Sequence, residues 1–472
     1  MRADGRGAAL RGGHGVLSRL SIDTLVELQD GLAGTTRFED RAHVRRGQDG
    51  ALLPAELADV DTVPAEAPRA PLGFAYASAD FMPVRQADGS LRFHLLELNG
   101  CGTRGISNLP GTHQEALYAG VAEAAGELSG VAPLLLFPMR GGSSTGVRYE
   151  RALLAQALAH GLAQRHGHAR LQWLPRVAEL PEGPIVAVAA SDALRRAVQL
   201  DDGVLRLGAR PVTAAFHDLF CRHLEERFDG ALPANAVQCI NPTFRVSSSK
   251  PETYRRFDGF LRAAPREPLA PTGFEAVHER DGLLASVERR LRDGRSAVIK
   301  PHAAGAARGI AFFRPPMTLD ALVARVDASV QSVTFESPEG QPPRRAFPYA
   351  VCDLLDGATV GEPSHPLFGH RFELRVILYR QAGRLRAFPS IAKVAARRFD
   401  PAVDDERMLL NTVALSGAEN PEAPNEHALP LANAGTLAAL GVDVETLRAV
   451  CGHAVDFVSF ISQGHLDYVQ DG

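Results

Sequence analysis

No uninterrupted apolar run in the 472 residues is long enough to span a bilayer, so nothing in the chain asks for a transmembrane helix. The N-terminal MRADGRGAALRGGHG lacks the apolar core of a signal peptide and reads as a flexible arm on a cytoplasmic protein. Cysteine is scarce: Cys101, Cys221, Cys239, Cys352 and Cys451 are scattered and odd in number. No two are spaced as a zinc or redox motif requires, and reduced, mostly buried thiols are expected. Charge of one sign is missing too. The 51 Lys and Arg against 55 Asp and Glu leave a formal net charge of −4, which gives no general reason to expect nucleic acid or an anionic membrane as partner. A local basic pocket for a small anion remains allowed. There is no internal repeat, no low-complexity tract and no Gly-Lys-Ser/Thr closing a loop onto a helix, which excludes a Walker A site.

What is present is an ordinary globular composition, 45% apolar and 22% charged, in a chain long enough for about two to four compact units. Proline and glycine punctuate it. A helix over Val16–Leu28 and a Pro/Ala-rich stretch near Pro54–Pro71 precede strands at Phe74–Val84 and Leu91–Leu98. A helix from about Thr112 opens a region of α/β rhythm. It contains strands at Pro133–Pro138, Leu171–Leu174 and Pro184–Ala189, and helices at Arg148–Arg165 and Val212–Arg227. That alternation predicts a small, mostly parallel sheet covered by helices. After Asn241 come helices at Pro251–Ala263 and Gly282–Arg292, strands at Ala297–Pro301, Ile310–Phe313 and Tyr349–Leu354, and an exposed excursion at Ser337–Pro348. A long strand pair, FELRVILYR and RLRAFPSIAKVA, turns at Gln381–Gly383, and a last helix runs from about Asp443 to Ser462.

The segment DFMPVRQADGSLRFHLLELNG carries the most chemistry. Asp88–Gly89 is a hairpin turn signal between two alternating runs. A two-residue loop there pairs Asp80 directly with Glu97, on one face, and Asn99 points the same way. Opposed carboxylates repel unless protonated or bridged by a cation. With an amide oxygen added, they form the hard oxygen cluster that magnesium favours. An isolated Glu-x-Asn is ordinarily a solvated strand edge, and Pro83 could introduce a bulge that shifts the pairing.

Lys300 ends an apolar strand, and the small-residue loop Ala303–Gly309 follows it, with Gly305, Arg308 and Gly309 as candidate contacts. Such a loop brings backbone N–H groups close to phosphate oxygens while the lysine supplies a point charge. Lys250 stands at a helix start, where an isolated lysine is usually solvated. Glu373 and Arg375 share a strand face, which suits either a cross-strand ion pair or a guanidinium holding a carboxylate or transferring phosphoryl group. The loop Arg140–Gly146 offers Arg140, Ser143, Ser144 and Thr145 at a helix N-terminus, as a carboxylate site or a plain connection.

Together these motifs resemble the ATP-grasp superfamily. The resemblance runs through short motifs over about Phe74–Asn108 and Lys250–Gly417, LLELNGCGTRG above all. It implies ATP contacts at Lys250 and Lys300 and Mg2+ on Asp80, Glu97 and Asn99, with Asp467 competing for the place of Asp80. The metal strand precedes both lysines, as in the circularly permuted glutathione synthetases, and the chain ends near where an unpermuted member continues into that strand. The implied fold is α+β with an α/β insert: a circularly permuted ATP-grasp fold with an inserted Rossmann-like substrate domain. The expected units are residues 1–115 (arm and metal strands), 116–245 (substrate domain), 246–345 (nucleotide lid) and 346–472 (C-terminal ATP-grasp subdomain). The implied activity is ligation of a small-molecule carboxylate to an amine through an acyl phosphate. Asp353 or Asp356 is expected at the ribose, Arg375 at the developing charge, and Arg140, Ser143, Ser144 and Asn108 at the substrate, with Arg104 and Lys393 as further contacts. A small-molecule kinase on the same scaffold and a non-catalytic nucleotide-binding protein are the alternatives, and a homodimer is allowed.

Overall fold

The computed structural model describes residues 8–11, 68–100, 106, 109, 111–139, 145–174, 180–229, 231–233, 236–242, 249–302, 308–334, 346–400, 408–409 and 427–463. Along the chain, β1 (Ala8–Arg11), β2 (Tyr76–Arg85), β3 (Leu91–Asn99) and α1 (Gly111–Gly126) come first. The α/β region follows with β4 (Leu134–Met139), α2 (Thr145–His166), β5 (His168–Trp173), β6 (Ile185–Ala190) and α3 (Ser191–Ala197). A small meander, β7 (Val198–Asp201), β8 (Val204–Leu207) and β9 (Arg210–Pro211), leads to β10 (Ala214–Phe216), α4 (Asp218–Arg227) and β11 (Gln238–Ile240). Next are α5 (Lys250–Ala263), β12 (Leu269–Ala270), β13 (Phe274–Val277), α6 (Arg280–Arg292), β14 (Ala297–Pro301), β15 (Ala311–Phe313), α7 (Leu319–Val333) and β16 (Tyr349–Asp353). The chain closes with β17 (His370–Gln381), β18 (Arg384–Arg398), β19 (Ala428–Pro430), α8 (Ala434–Leu440) and α9 (Val444–Gln463).

The architecture is mixed α/β. One six-stranded sheet has the order β1-β5-β6-β4-β10-β11. Its strands β5, β6, β4, β10 and β11 run parallel, and β1 is antiparallel to β5. The runs LLLFPM and IVAVAA are buried almost throughout, as strands covered on both faces must be. The second six-stranded sheet, β12-β3-β2-β17-β18-β19, is central. Its β17–β18 hairpin turns on Ala382 and Gly383, both at positive φ (49° and 73°), as a tight two-residue turn requires. A four-stranded antiparallel sheet, β13-β16-β14-β15, stands apart. The expected helix over 212–227 is corrected: Ala214–Phe216 pair with β11, and Ala214 and Ala215 also with β4. The chain then reverses at His217 (φ 59°, ψ 141°), whose imidazole caps α4 by accepting from Phe220 N. The expected helix at Val16–Leu28 lies outside the described residues.

The central sheet is buried on both faces. Phe81, Phe93, Leu95 and Leu98 face α5 and α9, packing with Phe257, Phe260 and Phe457. Tyr76, Ile377 and Tyr379 face the other way, toward Leu117 and Val121 of α1 and Phe137 and Phe216 of the parallel sheet. On the four-stranded sheet, Leu283 and Val287 of α6 and Leu322 and Val326 of α7 cover one face. Among the described residues no helix is long and apolar enough to cross a membrane.

The β2–β3 hairpin departs from the expected two-residue loop. Arg85 pairs with Leu91, and the turn spans five residues, 86–90, closed by Gln86 N donating to Ser90 O at 2.8 Å. This register alone would pair Asp80 with Leu96. A β-bulge intervenes: Phe81 pairs with Leu95, yet Asp80 pairs with Glu97. Leu96 is the extra residue, and it restores the pairing that the longer turn had displaced. A shift of one residue moves side chains to the opposite face. Strict alternation after Phe93 and Leu95 would have driven Glu97 into the apolar core. Pro83 breaks no ladder bond, because β17 pairs with β2 only as far as Phe81, and Pro83 O accepts from Ala358 N at 2.7 Å.

Helix α1 lies between β17 and α2 and meets each of them at a point of close backbone approach. A Cβ on Gly120 would stand 1.8 Å from Arg380 O, and one on Gly161 the same distance from Ala122 O. Gly120→Ala is therefore expected to destabilise the fold by about 1–3 kcal/mol or more through overpacking. Urea denaturation measures it, and an unchanged midpoint would contradict the close seating of α1.

Candidate active site

Three strands bring one row of charges together. Arg375 on β17 pairs with Asp80 on β2, and Asp80 pairs with Glu97 on β3. The row continues the face that carries Tyr76, Ile377 and Tyr379, so it looks toward α1 and the parallel sheet. A second bulge flanks it on β18, where Ser390 is the extra residue between the pairs Arg375–Ile391 and Val376–Pro389. Bulges gather where a strand must re-aim its side chains.

Asp80 is completely buried. Arg375 grips it with two charge-assisted hydrogen bonds, Nε to Oδ1 at 2.7 Å and Nη2 to Oδ2 at 2.6 Å. Lys393 Nζ adds a third at 2.9 Å to Oδ2 and also pairs with Glu373. Burial alone would raise the Asp80 carboxyl, but the Arg375 and Lys393 charges outweigh it and hold it well below the usual carboxylate range. Asp80 was expected to ligate magnesium. That expectation is corrected, because both of its oxygens are engaged by cationic donors. Where a metal was expected between the opposed carboxylates, a guanidinium stands: Arg375 Nη2 also lies 3.8 Å from Glu97 Oε1. Arg375, expected to face developing charge, is instead buried and committed to Asp80.

Glu97 is the accessible acid, with its side chain 33% exposed. Asn99 donates its amide to Glu97 Oε1 at 2.9 Å. Lys250 Nζ approaches Oε2 at 3.8 Å from the first turn of α5, where Ser249 caps the helix by accepting from Glu252 N and Pro251 stands at its start. Lys300 ends β14 and donates to Tyr254 Oη at 2.9 Å. Burial lowers the pKa of both lysines, Lys250's against the opposing pull of Glu97. His302 follows two residues later. Burial, with Arg222 and Lys250 nearby, pushes its pKa down to about 4, so the imidazole is neutral at pH 7.

The remaining candidates divide. Gly309 adopts φ 69° at the stem of the loop, and its carbonyl accepts from Ser329 Oγ at 2.5 Å; Arg308 beside it is exposed. Asp353, expected at the ribose, sits at the far end of β16 from the partner of Lys300. There it accepts from Arg290 and Arg295 at 3.1–3.2 Å. Asp356 pairs with Arg371. Arg140, Ser143, Ser144, Asn108, Gly305, Arg104 and Asp467 lie outside the described residues. Tyr254, Thr272 and His302 were not singled out beforehand. Tyr254 was within reach, since it stands one helical turn after Lys250 and so shares its face.

No family model matches the chain, and no curated protein does. Among solved structures, it is similar to a gamma-glutamylcysteine synthetase candidate from Methylobacillus flagellatus, at 14% identity and a TM-score of 0.43, covering 99% of this chain and 100% of that one. It is also similar to a glutathione synthetase-like effector from Globodera pallida, at 13% identity and TM-score 0.36, covering 76% and 82%. A third is D-alanyl-alanine synthetase A from Vibrio cholerae, at 13% identity and TM-score 0.30, covering 57% and 69%. All three names contain the word synthetase.

The ion pairs of Asp80 set a pH dependence. Its folded-state pKa is depressed, so its stabilisation is present above the unfolded carboxylate value of about 3.9 and is lost as pH falls through the folded value. Asp80→Asn, which leaves Arg375 and Lys393 buried without their counter-charge, is expected to cost about 3–5 kcal/mol at pH 7. It should also lose part of the acid-side decline in stability. Denaturant unfolding from pH 7 to pH 2 measures both, and an Asp80→Asn protein as stable as wild type at pH 7 would remove Asp80 from the centre of the network.

Proposed function

We propose that the chain is an ATP- and magnesium-dependent ligase that joins a carboxylate to an amine through an acyl phosphate, on a circularly permuted ATP-grasp fold. The observation that carries the reading is the meeting of Lys250 with Glu97, 3.8 Å apart, while Lys300 is linked to the same strand through Tyr254. Two buried lysines beside one partly exposed acid suit a polyphosphate with its cation.

The donors fit magnesium at Glu97 and Asn99 rather than at Asp80. Among the described residues no group of three or more His, Cys, Asp or Glu side chains is gathered for a metal. A cation there would take most of its ligands from water and phosphate, as magnesium does. Bound, it would neutralise charge on the phosphates during transfer. Lys250 and Lys300 would hold the phosphates, and the 303–309 loop, with Gly305, Arg308 and Gly309, would cover them. The adenine would lie along Tyr349–Asp353. Arg375 and Lys393 would act through Asp80, fixing the strand that aims Glu97. The carboxylate substrate would meet Arg140, Ser143, Ser144 and Asn108, and the amine would attack the acyl phosphate and release phosphate. On this reading residues 1–115, 246–345 and 346–472 build the ATP-grasp parts and 116–245 the substrate domain.

ADP release, screened over amino acids and peptides, is the test. Activity should require both a carboxylate and an amine, and hydroxylamine in place of the amine should yield a hydroxamate. A stable phosphorylated product without hydroxamate would indicate a kinase. Glu97→Gln is expected to reduce turnover by about a hundredfold or more, and near-wild-type activity in that variant would sink the assignment.

A further inference from the structure

The bulge that turns Glu97 to the site exposes two successive backbone carbonyls of β3, and a side-chain hydroxyl satisfies each. Thr272 Oγ1 donates to Leu95 O at 3.0 Å, both groups buried. Tyr254 Oη donates to Leu96 O at 2.5 Å. The same phenol oxygen accepts from Lys300 Nζ at 2.9 Å. Tyr254 is completely buried, and its ring is held independently of its hydroxyl by Phe274, with centroids 5.6 Å apart. One oxygen therefore joins the cation of the four-stranded sheet to the backbone of the acid strand, one residue before Glu97.

We propose that Tyr254 is a positioning residue that couples nucleotide contact at Lys300 to the aim of Glu97, through a hydrogen-bonded chain from Lys300 Nζ to Tyr254 Oη to Leu96 O. The proposal rests on the reading of Lys300 as a phosphate contact. A phosphate drawing on the Lys300 ammonium changes what Tyr254 Oη accepts, and so changes how firmly Oη holds the bulge carbonyl. Burial raises the Tyr254 pKa well above its ordinary value, so the phenol keeps the proton it donates. Chained hydrogen bonds polarise one another in a low-dielectric interior, which gives the link its sensitivity. Thr272 holds Leu95 O by a separate path and is the fixed reference.

Backbone amide exchange over residues 95–98 reads the link without any catalytic turnover, with ATP and EDTA as the probe. In wild type, ATP should change protection over 95–98 while residues 77–79 of β2 stay unchanged. Tyr254→Phe keeps the ring and removes the bridging oxygen. It should raise exchange at 95–98 in the nucleotide-free protein, abolish the response to ATP, and weaken ATP binding by about tenfold, the size of a lost hydrogen bond to a charged group. Lys300→Gln keeps the phenol and, at ATP concentrations high enough to saturate it, should also lose the response, so the coupling can be read even if the phenylalanine variant does not fold. Wild type that binds ATP with no change at 95–98, or a Tyr254→Phe protein that keeps the change, overturns the coupling alone. Wild type that binds no ATP, with magnesium or without it, overturns the nucleotide reading, and the coupling with it.

Discussion

A carboxylate taken wholly out of water survives as an anion only if cations meet it, and Asp80 is met by two, Arg375 with both arms and Lys393 with a third contact. The strands that supply them, β2, β17 and β18, lie side by side at the centre of the molecule. Their register is thereby fixed by charge as well as by apolar packing. Around that point the other charges fall into order. Glu373 shares Lys393, Glu97 is turned outward beside Arg375, and Lys250 closes over Glu97 from the start of α5. Asp80, Glu97 and Glu373 are set against Arg375, Lys393, Lys250 and, through Tyr254, Lys300, so every acid of the row has a cation beside it.

Much of this was legible in the sequence. The hairpin at Asp80–Gly100, the strand ending in Lys300, the helix beginning at Lys250 and the β17–β18 pair were all marked by alternation, turn residues or caps, and these signals are local. The pairing of Asp80 with Glu97 was also anticipated, though through a turn that does not form. The five-residue turn and the Leu96 bulge displace the register by one residue in opposite senses, and the result is the same pair. No local rule reveals such a cancellation. The burial pattern of β3 records it afterwards, with alternation running through Phe93 and Leu95 and resuming at Leu98.

What the sequence hid was distance along the chain. The partners of Asp80 lie about three hundred residues away, at Arg375 and Lys393. An acid beside a glutamate and an asparagine reads as a metal site until the opposing strand is placed. The ion pairs of Asp353 were hidden for the same reason, since Arg290 and Arg295 reach it from another element. The helix expected over 212–227 failed locally: three apolar residues, Ala214–Phe216, were drawn into the parallel sheet by neighbours on both sides, and tertiary pairing overrode helix propensity.

The two glycine contacts of α1 have a mechanical meaning. With Gly120 against the backbone of β17 and Gly161 against that of α1, three layers approach main chain to main chain at two points, beside the side-chain packing of Leu117 and Val121. The parallel sheet and the central sheet form one anvil. Among the described residues, the four-stranded sheet bearing Lys300 has no such glycine seam onto the central strands, and the hydroxyl of Tyr254 ties it to β3. The tie between the sheet bearing Lys300 and the strand bearing Glu97 thus runs through a side chain, whereas α1 meets its neighbours at the backbone.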